Sequence, residues 1–207
     1  MGLRETKKLQ TRQTIAAAAM GLFVKRGFDH VTVGEIARAA GVSEKTVFNY
    51  FPTKEDIFFD EVPERLEALR EAVRGRRPGQ SLVEAMHDLH AAQAGRLGSP
   101  GFAHFARAIA ESPALQAKEV EVMAQFSDHL AATIRDEIGL HPADAQIAAN
   151  LLLRVHWQFF RNAREQALAG RSGPGAVRRL RSDLERAYRL LEHGLGAIDG
   201  TGGAPVG

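Results

Sequence analysis

The sequence contains no cysteine. Disulfides, cysteine nucleophiles and thiolate metal centres are therefore excluded, and a reducing compartment is the natural expectation. It also lacks any charge-free apolar run long enough to cross a bilayer, and residues 1–8 are too polar and charged for the core of a secretory signal. No membrane partner is expected. No stretch alternates apolar and polar residues as a half-buried strand would. A nucleophile elbow, a glycine-rich phosphate loop and a carboxylate pair in acidity-shifting surroundings are all missing, so no catalytic residue is assigned and no enzyme is expected. His87 and His90 have a zinc-compatible spacing but no third ligand; they are read as an exposed, solvated pair, with no metal and no cofactor. Met1, Gly2 and Thr6 fit a myristoylation pattern in form only.

What is present is a chain of 207 residues, long enough to bury a sizeable core in two small domains or one larger one. Its net charge of +2 is uneven. Residues 1–54 carry nine basic and four acidic side chains, and the remainder carries 18 basic and 21 acidic ones. A basic head on a mildly acidic body is what a nucleic-acid-binding domain joined to a regulatory domain shows.

Residues 32–54, TVGEIARAAGVSEKTVFNYFPTK, organise that head. Thr32 and Glu35 stand three apart before an apolar run, a capping box that opens a helix. Val33, Ile36, Ala37 and Ala40 then give it one buried stripe. Gly41 makes the turn and Ser43 caps a second short helix, which Pro52 terminates. This is a helix-turn-helix. Val47 and Phe51 face inward, which leaves Glu44, Lys45, Phe48 and Asn49 outward. Lys45 can donate to guanine O6 and N7, Asn49 can pair bidentately with adenine, and Phe48 can pack on a thymine methyl. Thr32, Ser43, Thr46, Tyr50 and Lys54 sit at helix ends or edges where phosphate oxygens would lie. Glu44 would accept from cytosine N4 or exclude wrong sites. Lys7, Lys8 and Arg12 form a basic arm expected to lie against phosphates or to stay mobile.

From Ile15 onward, IAAAAMGLFVKRGFDHVTVGEIARAAGVSEKTVFNYFPTKEDIF resembles the DNA-binding domain of the tetracycline-repressor (TetR) family. The ordered match runs through Ile15, Ala18, Leu22, Phe23, Gly27, Phe28, Thr32, Ile36, Gly41, Ser43, Thr46, Tyr50, Phe51 and Lys54. Lys45 stands where the family has a glycine, and Val47 where it commonly has leucine. The resemblance implies an all-α fold in which a three-helix head precedes a helical ligand-binding and dimerisation body. It also implies a small-molecule effector held in that body and a two-fold interface made by the final helix pair.

The residues support such a body. A first helix over residues 5–25 has Ile15, Ala18, Ala19, Leu22 and Phe23 on one face. A fourth runs from Lys54 past Phe58, Val62, Leu66, Leu69 and Val73, with Pro63 expected to kink or break it and to relay movement of the body. Ser81 and Glu84 cap a further helix, followed by a short aromatic one through Phe102, Phe105 and Ile109 and a long one that stops at Gly139. Residues 143–169 are apolar on most sides. Pro174 opens the last helix, over 174–195, with the stripe Val177, Leu180, Leu184, Tyr188, Leu191 and Leu195. Meeting their copies, these two would form a four-helix bundle in a homodimer. The expected domains are residues 1–54, residues 55–195 and a disordered glycine-rich tail over 196–207.

Phe105, Arg107, Phe126, Arg154, His156, Trp157 and Phe160 are the candidates for holding a small hydrophobic or anionic ligand, because buried guanidinium groups need a negative partner. Arg107 and Arg154 could equally pair with Glu111, Asp128 or a dimer mate. The functional expectation is a cytoplasmic, bacterial, homodimeric repressor of transcription that a small ligand releases from a pseudo-palindromic operator. A non-specific or architectural DNA binder, and a ligand-sequestering or interaction module with a non-reading head, are the other readings.

Overall fold

The protein's computed structural model describes residues 2–97 and 99–194. The expected tail over 196–207, with Leu195, lies outside the described residues. The described residues form ten α-helices and no strand: α1 Leu3–Arg26, α2 Val33–Ala40, α3 Glu44–Tyr50, α4 Lys54–Phe58, α5 Val62–Arg74, α6 Leu82–Leu97, α7 Pro100–Glu111, α8 Pro113–Ile138, α9 Pro142–Leu168 and α10 Gly173–His193. The described residues fall into two compact units, one up to residue 63 with 108–120 and one over 64–107 with 121–194.

The first unit is held by α1, which packs on α2 and α4 while α2 packs on α3. Ile15, Ala19 and Phe23 of α1 are buried with Phe28, Ile36, Val47, Phe51 and Phe58. The rings of Phe23, Phe28 and Phe58 lie 5.0 to 6.1 Å apart in tilted and edge-on pairs, the arrangement that aligns ring edges with ring faces. Each buried phenylalanine stabilises this small head by about 2–3 kcal/mol. The start of α8 completes it. Leu115 is fully buried, the Ser112 hydroxyl donates to Asp29 (2.7 Å), and Lys118 pairs with Asp56 (2.9 Å).

Residues 54–73 do not form one kinked helix. The chain breaks at residues 59–61, and Pro63 is the second residue of α5. In a first turn a proline's missing N–H costs no intrahelical bond, so of the kink or break expected at Pro63 the chain has the break, three residues long, with Pro63 at the start of the next helix rather than inside one.

In the second unit α10 packs on α6 and α9, and α6 on α9. Leu180, Leu184 and Tyr188 of the α10 stripe are thereby buried within one protomer. Ser127 of α8 donates to Asn150 (2.6 Å) and accepts from Gln146 (2.6 Å), which ties α8 to α9. Arg70 of α5 donates to Thr133 of α8 at 3.1 Å.

Candidate nucleic-acid interface and the polar cluster of the second unit

Local chemistry fixes the reading helix. Thr32 N–H donates to Glu35 Oε2 (2.9 Å) and Glu35 N–H returns to Thr32 Oγ1 (3.3 Å), so the capping box at the start of α2 is complete. The Thr32 backbone N–H, with Arg26 beside it, holds the Glu35 carboxyl down at about 2. Arg26 also donates to the His30 carbonyl (2.9 Å), which ties the end of α1 to the start of α2. Gly41 takes a left-handed conformation (φ 68°), where a side chain is strained, and Val42 N–H closes back to Ala37 O at 3.0 Å. Ser43 Oγ then accepts from Thr46 N–H (3.0 Å) and lies 2.8 Å from the Thr46 hydroxyl, which starts α3.

Of the outward residues, Ser43, Glu44, Lys45 and Asn49 are exposed, and Phe48 is 49% exposed. Val47 and Phe51 are buried beneath them. Thr46 and Tyr50 are half-buried, and Thr32 is exposed at its cap. Glu44 folds back towards α2, its Oε1 2.6 Å from where a Cβ on Gly34 would sit. Lys54 is tethered, because its ammonium donates to the carbonyls of Phe28 (3.0 Å) and Val31 (2.9 Å) and lies 4.2 Å from the Phe28 ring centre.

The basic arm is not an arm. Its residues belong to α1, and Arg12 is locked by an ion pair to Asp60 (2.6 Å), by stacking 4.5 Å from the Phe51 ring centre and by a bond to Tyr50 O (3.4 Å). Paired and stacked in this way, Arg12 braces the end of α3. Lys7 and Lys8 stay exposed and line an open groove of about 680 Å³ with Thr11, Thr14, Val42 and Tyr50.

The second unit corrects several expectations. Arg107 and Arg154 are exposed, so neither guanidinium is buried with the aromatic residues. The guanidinium there belongs to Arg65, 5.3 Å from the Phe105 ring centre and 5.8 Å from that of Phe160. The signal was in the sequence, since Arg65, Leu69 and Val73 repeat at steps of four. Phe126, His156, Trp157 and Phe160 do come together. His156 is 4.7 Å from both Trp157 and Phe160, ring centre to ring centre, and 6.1 Å from Phe126.

His90 is not solvated but fully buried. Its Nδ1 lies 2.7 Å from the Tyr188 hydroxyl and its Nε2 2.6 Å from His156 Nδ1. Burial pushes its pKa down to about 3 and lowers that of His156 well below the ordinary value, so both rings are neutral. Burial likewise raises the Tyr188 hydroxyl. Met86, His90, Ala94 and Leu97 form one buried stripe of α6, which marks His90 as a core residue. His87, on the next turn, pairs with Glu185 at 3.0 Å. No group of three or more metal-ligating side chains occurs among the described residues, and no described helix is long and apolar enough to cross a membrane.

Residues 15–60 match the sequence profile of the bacterial regulatory proteins of the tetR family. The chain is 30% identical over 147 residues to the HTH-type transcriptional regulator TcmR of Streptomyces glaucescens, over 67% of this chain and 65% of that one. It thus spans just under two thirds of the length of that curated relative. To AcrR of Shigella flexneri it is 40% identical over 57 residues, 27% of this chain and 26% of the relative. Among solved structures, the TetR-family repressor FadR of Thermus thermophilus, in complex with lauroyl-CoA, is 28% identical with a TM-score of 0.56. That likeness covers 89% of this chain and 94% of that one.

Proposed function

Because the chain belongs to the TetR family of bacterial regulatory proteins, we propose that it is a sequence-specific DNA-binding repressor of transcription, homodimeric, cytoplasmic and released by a small molecule. The observation that carries this reading is α3, which exposes Lys45, Phe48 and Asn49 on a helix whose opposite side chains, Val47 and Phe51, are buried. A large apolar ring left in water beside a cation and an amide suits base edges in a major groove. Residues 1–54 read DNA and residues 55–195 hold the effector and the dimer contact. Ser43, Thr46, Tyr50, Lys7 and Lys8 meet phosphates and set register. Thr32 and Lys54 support them from the helix starts, and Glu44 discriminates against wrong bases.

Two copies of α3 enter successive major grooves of a pseudo-palindromic site. For the dimer, α9 still exposes Ile147 and Leu151, apolar surface beyond what one protomer covers. The effector is taken in the second unit by Phe105, Phe126, His156, Trp157 and Phe160, with Arg65 in place of Arg107 and Arg154. Its binding favours a conformation in which the two heads no longer fit the operator. That the Thermus FadR structure contains lauroyl-CoA makes an acyl thioester one candidate chemistry.

Anisotropy titration of a two-fold-symmetric duplex and its scrambled counterpart, at rising salt, tests the reading. A specific reader keeps its preference while both affinities fall with salt; a backbone binder shows equal constants throughout. Adding lauroyl-CoA to the complex then tests the thioester candidate.

A further inference from the structure

Glu44 is the first residue of α3, at the end of a recognition helix whose side chains meet base edges. Its side chain nevertheless lies against α2. A Cβ on Gly34 would stand 2.6 Å from Glu44 Oε1 and 3.4 Å from Glu44 Cδ, with the Thr32 hydroxyl next at 4.0 Å. The carboxylate thus fills the place of the side chain that Gly34 lacks. Nothing in the backbone calls for a glycine there, because Gly34 is the second residue of α2 and its φ is not positive. Inside a helix glycine is less stable than alanine, so what Gly34 provides is space. The first turn of α2 also suits an anion, since the helix dipole is positive there and the charge of the neighbouring Glu35 is answered by Arg26 at 2.6 Å.

We propose that Gly34 is a positioning residue for sequence specificity, a seat to which the Glu44 carboxylate withdraws when the base facing the start of α3 offers it no donor. This rests on reading α3 as the helix that meets the bases. Opposite a cytosine the carboxylate extends and accepts from N4. Opposite a guanine or a thymine it would point at acceptor atoms, with phosphates on either side adding to the repulsion. Withdrawal onto Gly34 limits that penalty, so the protein's preference for cytosine at this pair is mild. With the seat filled, the carboxylate stays in the groove and the preference becomes steep.

The test fills the seat. A methyl at position 34 meets the mobile end of the exposed Glu44 side chain, so Gly34→Ala should melt no lower than the parent. In selection from a random duplex library, the parent should enrich a two-fold-symmetric site in which one pair favours cytosine mildly, and Gly34→Ala the same site with that cytosine fixed. In anisotropy titrations, replacing this cytosine by thymine should weaken the parent about threefold and Gly34→Ala about tenfold or more. Equal base preferences in the two proteins would overturn the proposal. In a Glu44→Ala background, Gly34→Ala should change neither affinity nor preference, and an effect of the methyl that persists without the carboxylate would overturn it as well. Glu44→Ala alone should lose the cytosine preference; its retention would show that Glu44 does not read the pair, and the proposal would fail without recourse to the Gly34 variant. If the parent enriches no site at all, the base-reading assignment of α3 itself fails and the inference falls with it.

Discussion

Phe48 concentrates the account at the scale of single residues. It is held 49% exposed by a helix whose inner side is filled by Val47 and Phe51. Because little of it is packed, Phe48→Ala should change stability by no more than about 0.5 kcal/mol while weakening binding to a preferred duplex by on the order of 1 kcal/mol. Thermal melts and anisotropy titrations measure the two separately, and a large loss of stability would place the ring in the core instead. His90 and His156 make a second prediction at this scale. With folded pKa values depressed, to about 3 for His90, they stay neutral in the fold and take up protons when it opens. The unfolded chain thus binds more protons below about pH 6.5, so their stabilising contribution is complete above that pH and is lost as pH falls towards 3. The slope is about 1.4 kcal/mol per pH unit for each ring, read as a falling urea midpoint between neutral and mildly acid pH. An unchanged midpoint would contradict their burial as neutral rings.

Elements differ in how far they could be read in advance. Thr32 with Glu35, Ser43 with Thr46 and Thr53 with Asp56 are contacts three residues apart, so the helix starts in the head were legible from the sequence. The inward Val47 and Phe51 were legible for the same reason, as a step of four on one short helix. His90 was not, because its burial depends on Tyr188, 98 residues away, and on His156, 66 residues away. Arg12 was misread because the Asp60 carboxylate and the Phe51 ring that fix it are brought in only when the head folds. Pro63 was placed in a helix interior because apolar spacing continues across residues 59–61; the proline signalled a kink or a break, but spacing alone did not locate the break before it. Gly41 offers the element-scale test. At φ 68° it needs no side chain, so Gly41→Ala should cost about 1 kcal/mol. It should also weaken DNA binding by misdirecting α3, whereas Gly21→Ala, on α1 with open space for a Cβ, should do neither.

At the scale of the whole molecule, the proposed function requires two copies acting together. One protomer leaves Ile147 and Leu151 of α9 58% and 52% exposed although α6 and α10 already cover other faces of that helix. Leu151→Glu should therefore yield a monomer in sedimentation experiments, with helicity unchanged and affinity for a two-fold site reduced at least tenfold. A dimer that survives this substitution would put the interface elsewhere. The central claim is that α3 reads bases, and selection from a random duplex library by the purified protein beside Lys45→Ala and Asn49→Ala tests it most directly. The parent should enrich a two-fold-symmetric site, and each variant should relax that site at a defined position with a loss of about 1–3 kcal/mol. No enrichment, with both variants binding like the parent, would contradict the account.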